Sequence, residues 1–347
     1  MNEITPLLIE WYAKTARDLP WRNTRDPYHI WLSEIVLQQT QVKTGLKYYE
    51  RILSEYPDVY SLAGAGQDKF MKLWQGLGYY RRADNLLKTA KFVVDELEGK
   101  FPTSYSGLLK LKGVGRYTAA AVASFAYDEP VPVIDGNVRR VVSRLFDVHS
   151  IYGSTKFEKQ INEGVSEIFS HDNPALFNQA IMEFGALQCR KVPQCESCPL
   201  IAFCLARKGG SETKRPLKKK GKGKRLRRFC YLLYREGNKV ALVKRGDSDI
   251  WRNLYEFPCV ETNDCNPGTI AGKIESEFHV SAPGLIEVIR MNSHILSHQE
   301  IYASLFLLKG DKPTGVIMVD ISELYAYPVH RLMEKLLHDS SVEALLM

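Results

Sequence analysis

Residues 109–146, LKLKGVGRYTAAAVASFAYDEPVPVIDGNVRRVVSRLF, constrain the fold of this 347-residue chain more than any other stretch. The pattern predicts a helix end, a hairpin bracketed by Gly113 and Gly115, and an alanine-rich helix from Arg116. Glycine tolerates positive φ and leaves backbone N–H groups uncovered, and a helix start adds unpaired N–H groups and a positive dipole end. This element therefore predicts a site for one phosphate, with Arg116 beside it.

A carboxylate follows this element closely. The extended run PVPVI ends at Asp135, and apolar residues at helical spacing from Val138 to Phe146 predict another helix. An aspartate at this point is most simply a helix N-cap, and a Gly-Val-Gly turn is most often only a turn. Together with the rest of the chain, however, the segment predicts a phosphate-binding site followed by a functional carboxylate.

Glu34 is a lone acid in an otherwise apolar helical turn, WLSEIV. It could belong to a surface stripe with Gln38 and Gln41, which lie four and seven residues further on. If its neighbours instead remove it from water, its pKa rises and the carboxyl keeps its proton near neutral pH. Glu34 is thus a candidate general acid.

Composition and charge exclude several classes of protein. The chain is 45% hydrophobic but has no run of 18 apolar residues, which argues against a membrane span, and its start shows no secretory signal. Seven unevenly spaced cysteines favour a reducing compartment, so we expect a cytoplasmic protein. The net charge of the chain is +7. Residues 207–228 hold twelve Lys/Arg and one acid, a local net charge of +11, so the net charge of all other residues is about −4 (7 − 11).

The residue pattern divides the chain into three parts. Residues 1–205 alternate apolar helical segments with short loops and predict an all-α domain. Residues 206–228 are rich in glycine and lysine and predict a flexible basic linker that contacts DNA phosphates. From residue 229 to 347 the pattern predicts an α+β domain, with FCYLLYREGNKVALVKR as a hairpin turning at Gly237 and Asn238.

Two further motifs carry chemical information. In WQGLGYYRRA, Tyr79 and Tyr80 precede two arginines, a composition that suits nucleic acid, although a core tyrosine pair beside a solvated helix start is equally compatible. The second motif is C-x5-C-x2-C-x5-C, formed by Cys189, Cys195, Cys198 and Cys204. Four thiols in 16 residues predict a metal site, either zinc or a four-iron cluster, and a single tight pair favours the cluster.

These motifs resemble known families. LKGVGRYTAAAV followed by VIDGNVRRV resembles the helix-hairpin-helix element of the endonuclease III superfamily of DNA glycosylases. The cysteine run resembles that superfamily's cluster loop, where the first interval is usually six residues rather than five. Together with EIVLQQTQV, WQGLGYYRRA, RGDSDIWRNLYEFP and HILSH, the order of motifs is similar to that of MutY-type adenine DNA glycosylases.

The resemblance implies a multidomain protein. An all-α helix-hairpin-helix glycosylase domain (1–205) would contain the hairpin element (109–125) and a [4Fe-4S] loop (189–204), followed by the linker (206–228) and a Nudix-like domain (229–347) that recognises 8-oxoguanine. GTIAGKIESEFHV lacks the clustered acids of a hydrolysing Nudix box, so this last domain is expected to bind only. The implied activity is monofunctional removal of adenine mispaired with 8-oxoguanine or guanine in double-stranded DNA, by a monomer without a membrane partner.

The resemblance also implies residue roles. Glu34 would protonate adenine and Asp135 would stabilise, or transiently bond, the sugar cation, with Asn137 and Tyr117 positioning them. The implied substrate and DNA contacts are Arg22, Gln39, Tyr79, Tyr80, Gly113, Gly115, Arg116, Gln179, Ser297 and His298. Among these, Gln39 and Tyr80 would fill and wedge the duplex, with Tyr79 as the alternative wedge. Ser297 and His298 would read the lesion after Leu296, where the family has phenylalanine.

The chemistry is consistent with these roles, and two alternatives remain. Breaking an N-glycosidic bond passes through an oxocarbenium-like state, which needs an acid at the leaving base and an anion near the sugar. An endonuclease III-type glycosylase/lyase for oxidised pyrimidines would need an amine nucleophile, but Tyr117 follows the Gly-x-Gly-Arg motif here. A non-catalytic iron–sulfur DNA-binding protein would not need Glu34 together with Asp135.

Overall fold

A computed structural model describes residues 3–219, 223–246, 248–264, 266–281 and 283–347. The chain separates into two compact units, Met1–Gly64 with Lys88–Gly221 and Ala65–Leu87 with Lys222–Met347. The sequence pattern placed all of the first 205 residues in one domain, whereas the contacts of residues 65–87 place that segment with the C-terminal unit. No helix in the described ranges is long and apolar enough to cross a membrane.

The first unit is helical, as the sequence predicts. Its helices are α1 (Ile4–Thr15), α2 (Pro27–Leu37), α3 (Val42–Glu55), α4 (Val59–Ala63), α7 (Tyr105–Leu108), α8 (Arg116–Tyr127), α9 (Gly136–Leu145), α10 (Thr155–Ile168), α11 (Pro174–Leu187) and α12 (Leu205–Lys208). Helix α6 (Arg81–Leu97) contributes residues to both units, and 3-10 turns occur at Pro20–Arg22 and Ile201–Phe203.

Two packed helix pairs position the functional segments of this unit. Helix α2 begins at Pro27 and is capped by Asp26, whose side chain accepts from the Tyr28 N–H at 2.7 Å; the helix packs against the alanine-rich helix α8. Helix α11 packs against α9 so closely that a Cβ at Gly185 would lie 2.7 Å from the Cβ of Asn137. A larger residue at 185 would therefore displace the start of α9.

The second unit is built on two sheets. Its strands are β1 (Arg225–Leu233), β2 (Arg235–Glu236), β3 (Lys239–Lys244), β4 (Tyr255–Glu256), β5 (Cys259–Thr262), β6 (Gly284–Ile295), β7 (Gln299–Lys309) and β8 (Ile317–Asp320). One sheet has the order β5-β1-β7-β6, with β1 and β7 parallel, and the other joins β2, β3 and β4, with β8 on β3. Helices α5 (Gln67–Trp74), α13 (Pro267–Phe278), α14 (Arg331–Leu337) and α15 (Ser340–Leu346) and a 3-10 turn at Ile321–Ala326 complete it.

Strand β1 corrects the predicted hairpin. Phe229, Tyr231 and Leu233 enter the core beneath α14 and α15, while Cys230 and Leu232 enter a second core that includes α13. A strand buried on both faces needs a continuous apolar run, which FCYLL supplies. The predicted turn at Gly237 exists, but it joins only β2 to β3, because β1 pairs with β5 and β7 instead.

Residues 65–87 dock on this unit through polar contacts. Asp68 accepts hydrogen bonds from Lys244 Nζ at 2.6 Å and from the Tyr255 hydroxyl at 2.9 Å. Asp84 is buried and forms an ion pair with Arg252, at 3.1 Å between Nη2 and Oδ2. These partners lie more than 150 residues away in sequence, so local patterns could not predict them.

The predicted linker has more structure than its composition suggests. Arg215 is buried, with its Nε 2.8 Å from the Asp147 carboxylate, and the Tyr152 N–H donates to the Leu217 carbonyl at 2.8 Å. The described part of the linker is therefore attached to the helical unit as far as residue 217. Residues 220–222 of the linker lie outside the described ranges, and β1 begins at Arg225.

Candidate active site

The helix-hairpin-helix element forms the edge of an open groove. Gly113 has a φ of +78°, whereas Gly115 is extended, with a φ of −89°, and caps α8. A Cβ at Gly115 would meet no protein atom within 4 Å, so the space beside this glycine is open and not filled by other side chains. The groove has a volume of about 670 Å³ and is lined by both glycines, Arg116 and the exposed Gln39. These predicted DNA contacts therefore share one surface with Glu34 and Asp135, which also line the groove.

Glu34 is buried, which excludes the surface-stripe alternative. Only 5% of the residue is exposed, and its Oε2 accepts a 2.6 Å hydrogen bond from the Tyr117 hydroxyl. Burial raises the pKa of Glu34 to about 7, with the negative charge of Asp135 adding to the effect and Tyr117 and Arg22 opposing it. Glu34 can therefore hold a transferable proton at neutral pH.

Asp135 is both the N-cap of α9 and part of the cavity wall. Its Oδ1 accepts from the Val138 N–H at 2.7 Å, and its Oδ2 accepts from the Asn137 side-chain amide at 2.7 Å. Burial raises the pKa of Asp135, while these two donors favour the ionised carboxylate and lower it. Arg140 in turn donates to Asn137 Oδ1 at 2.7 Å, which fixes the orientation of that amide.

One cavity of about 220 Å³ brings the predicted catalytic residues together. Its lining includes Glu34, Tyr117, Asp135, Asn137, Arg22 and Gln179. The Gln179 side-chain oxygen accepts from the Tyr12 hydroxyl at 2.8 Å, so one side of its amide is already oriented. The arrangement brings two carboxyl groups and several hydrogen-bonding side chains into one small, partly enclosed space.

Two wall residues of this cavity, Arg17 and Glu183, were missed by the sequence analysis. Glu183 is a single acid in the apolar helix PALFNQAIMEFGAL and lies four residues after Gln179, on the same face of α11. This is the same kind of signal that identified Glu34. Its partners Arg17 and Arg22, however, are 166 and 161 residues away in sequence.

The two tyrosines of WQGLGYYRRA differ in exposure. Tyr79 is 47% exposed with a φ of +48°, whereas Tyr80 is 6% exposed and accepts a hydrogen bond from the Gly76 N–H at 3.3 Å. A wedge must leave the protein surface, so the geometry favours Tyr79 and disfavours Tyr80 for that role. Ser297 and His298 are exposed in the turn between β6 and β7, and the Tyr79 and Ser297 hydroxyls are 2.7 Å apart.

The four cysteines of the motif line one small cavity next to Arg144 and Arg207. All four are free thiols, and Arg144 Nη1 donates to Cys189 Sγ at 3.3 Å. Burial raises the pKa of Cys198 to about 12, and the charges of the three other thiols add to the effect. Across the described residues, no group of three or more His, Cys, Asp or Glu side chains is arranged to hold a single metal ion.

The fold and site define a helix-hairpin-helix DNA repair enzyme of the base-excision type. Residues 32–167 match the family model described as "HhH-GPD superfamily base excision DNA repair protein", and residues 229–339 match a model described as "NUDIX domain". Among solved structures, a thermostable thymine-DNA glycosylase matches with a TM-score of 0.54 and 27% identity, covering 60% of this chain and 96% of that chain.

Relatives of higher sequence identity identify the family within this class of repair enzymes. An "Adenine DNA glycosylase" of Buchnera aphidicola is 39% identical over 285 residues, covering 79% of this chain and 82% of the relative. One from Arabidopsis thaliana is 34% identical, covering 87% of this chain and 56% of the relative. The chain belongs to the adenine DNA glycosylase family.

Proposed function

We propose that this enzyme removes adenine opposite 8-oxoguanine, and also opposite guanine, in double-stranded DNA without cleaving the strand. The observation that carries the proposal is that a buried Glu34, whose pKa is raised to about 7, shares one cavity with Asp135, the N-cap of α9. A flipped base is the substrate that such a cavity admits, because a base inside the duplex cannot reach it.

The residues divide the reaction between them. Glu34 donates its proton to the departing adenine, while Tyr117 holds the carboxyl in place through its 2.6 Å hydrogen bond. Asp135 stabilises the positive charge that develops on the sugar, and Asn137 fixes its orientation. General acid catalysis typically contributes 10²–10⁴-fold, equivalent to about 3–5 kcal/mol of the barrier.

The cavity wall argues against a lyase. A glycosylase/lyase attacks the sugar with an amine to form a Schiff base. The cavity has no lysine among the described residues that line it, and the hydroxyl of Tyr117 is engaged with Glu34. Water is therefore the expected acceptor of the sugar, and the product is an intact strand with an abasic site.

Recognition of 8-oxoguanine is proposed for the second unit. Ser297 and His298 offer hydrogen-bonding groups from an exposed turn, and Tyr79 adds an exposed aromatic ring beside Ser297. Exposed aromatic rings stack on bases, and hydrogen-bonding side chains read base edges. We expect these residues to favour 8-oxoguanine over guanine opposite the target adenine.

The cysteine loop is proposed to hold a [4Fe-4S] cluster. The donor set is four thiols around one cavity, and two arginines lie beside the negative charge that four thiolates would bring. A mononuclear zinc site would need sulfurs about 3.8 Å apart, from a Zn–S length of about 2.3 Å, whereas a cubane attaches its ligands to four separate irons. When bound, the cluster would supply four metal–sulfur bonds that fix the loop after α11.

The test is a base-release assay on a panel of duplexes. We expect adenine release from A:8-oxoguanine and A:G duplexes, no release from A:T, and no release of oxidised pyrimidines. Alkali should be required to cleave the strand, and borohydride should trap no covalent complex. Strand cleavage without alkali, or excision of an oxidised pyrimidine in place of adenine, would favour the lyase alternative and contradict the proposal.

A further inference from the structure

A buried ion-pair cluster lies in the wall of the catalytic cavity. Glu183 has a side chain only 1% exposed, and its carboxylate accepts four hydrogen bonds. Oε1 accepts from the Arg17 backbone N–H at 3.0 Å and from Arg17 Nε at 2.7 Å. Oε2 accepts from Arg17 Nη2 at 2.6 Å and from Arg22 Nη2 at 2.8 Å. One carboxylate thus holds two guanidinium groups.

The cluster extends toward the groups that would contact a base. Arg22 also donates to the Arg17 carbonyl at 3.0 Å, and its guanidinium lies 5.5 Å from the ring centre of Tyr12. Tyr12 donates to Gln179, and Arg17, Arg22, Gln179 and Glu183 all line the cavity. The mechanism described above uses none of the charge on Glu183.

The charges of this wall act on Glu34. The groups that face Glu34 are Tyr117 from α8, Asp135 at the start of α9, and Arg22 from the 3-10 turn. Arg17 and Glu183 line the same cavity, and Arg116 and Arg139 line the adjoining groove. Arg22 lowers the pKa of Glu34, and Glu183 is the carboxylate that forms an ion pair with Arg22 at 2.8 Å.

From these contacts we propose that Glu183 is a positioning residue of the base pocket, which holds Arg17 and Arg22 at the cavity wall and neutralises one of their two positive charges so that Glu34 keeps its proton. This inference rests on the proposed function and adds a charge-balancing residue to it. It follows that the two arginines orient the substrate without removing the proton that the reaction needs.

The test is the pH dependence of single-turnover adenine release by Glu183→Gln. An uncompensated guanidinium at contact distance lowers a carboxyl pKa by about 1–3 units, and we expect about 0.5–1 unit across the cavity. The pH at which activity is half lost on the alkaline side should fall by that amount. The double variant Arg17→Gln/Glu183→Gln removes one charge of each sign and should restore the midpoint.

A matched control comes from the second unit. Glu261 holds Arg227 with the same pair of contacts, Nε at 2.8 Å and Nη2 at 2.6 Å, so Glu261→Gln should leave the midpoint unchanged. An unchanged midpoint in folded Glu183→Gln, or no recovery in the double variant, would overturn the proposal. If Glu183→Gln does not fold, Glu183→Asp keeps the charge, and the proposal then requires a lower plateau rate with an unmoved midpoint.

A second readout separates this inference from the proposed function. The titration of Glu34 can be followed without catalysis, from the pH dependence of the change in unfolding free energy that Glu34→Gln causes. The midpoint of that curve should be lower when Glu183→Gln is also present. Absence of adenine release by the unmodified enzyme would refute the proposed function, whereas an unmoved stability midpoint would refute the charge-balancing role.

Discussion

The raised pKa of Glu34 makes a prediction about stability as well as catalysis. Glu34 holds its proton more tightly in the folded protein than in the unfolded chain. The folded state therefore loses stability as pH rises. In the folded protein Glu34 retains its proton up to about pH 7, whereas in the unfolded chain it releases it near 4.5. Between these values the folded state binds more protons, so the free energy of unfolding falls with increasing pH.

The magnitude follows from the two pKa values. The difference of about 2.5 pH units (7 − 4.5), at 1.36 kcal/mol per unit, amounts to about 3 kcal/mol. This loss of stability develops gradually, mainly between about pH 4.5 and pH 7. Glutamine has no proton to lose and its oxygen can still accept from Tyr117, so Glu34→Gln should gain about 3 kcal/mol relative to the parent between pH 4.5 and 8.

Urea unfolding followed by helical circular dichroism at pH 5, 6, 7 and 8 measures this gain. The exposed Glu10 is a control of opposite sign, because Lys14 lowers its pKa and Glu10→Gln should not gain stability as pH rises. A difference between Glu34→Gln and the parent that stays constant from pH 5 to pH 8 would refute the claim that the folded protein holds Glu34 protonated.

Three further predictions concern the other sites. Purified protein should be yellow-brown with about four irons, and Cys198→Ser should lose the metal and much of the DNA affinity; colourless protein with one zinc would refute the cluster. Neutralising the three lysines at 218–220 should weaken binding to all duplexes alike. It should also reduce the slope of log affinity against log salt concentration by up to about 3. A loss of affinity confined to lesion-containing duplexes would contradict a role in non-specific phosphate binding. Changing Ser297 and His298 to alanine should lower the preference for A:8-oxoguanine over A:G more than it lowers turnover of A:G, and equal loss on both would assign the turn a structural role.

The sequence predicted the helical unit and the positions of its candidate site residues because the signals it used are local. The Gly113–Gly115 hairpin, the cap at Asp135 and the single acid in an apolar turn at Glu34 each depend on residues within one turn of helix. The structure confirms the all-α unit followed by an α+β unit. Ser297 lies in the turn between β6 and β7.

The features that the sequence could not predict depend on distant residues. The parallel pairing of β1 with β7 joins Phe229 to Ala303, and no local pattern specifies it. The docking of residues 65–87 on the C-terminal unit uses partners such as Lys244 for Asp68. The contacts of Glu183 are equally remote, so a carboxylate that holds two guanidiniums could be found only from the fold.

Single-turnover adenine release from an A:8-oxoguanine duplex, measured beside duplex affinity for Glu34→Gln and Asp135→Asn, tests the central claim most directly. Both variants should bind the duplex as the parent does and release adenine at least about 10²-fold more slowly. Asparagine caps a helix nearly as well as aspartate, so a purely structural Asp135 would leave the rate near that of the parent. Near-parent release by either variant would contradict the assignment of Glu34 as the acid and Asp135 as the stabilising anion.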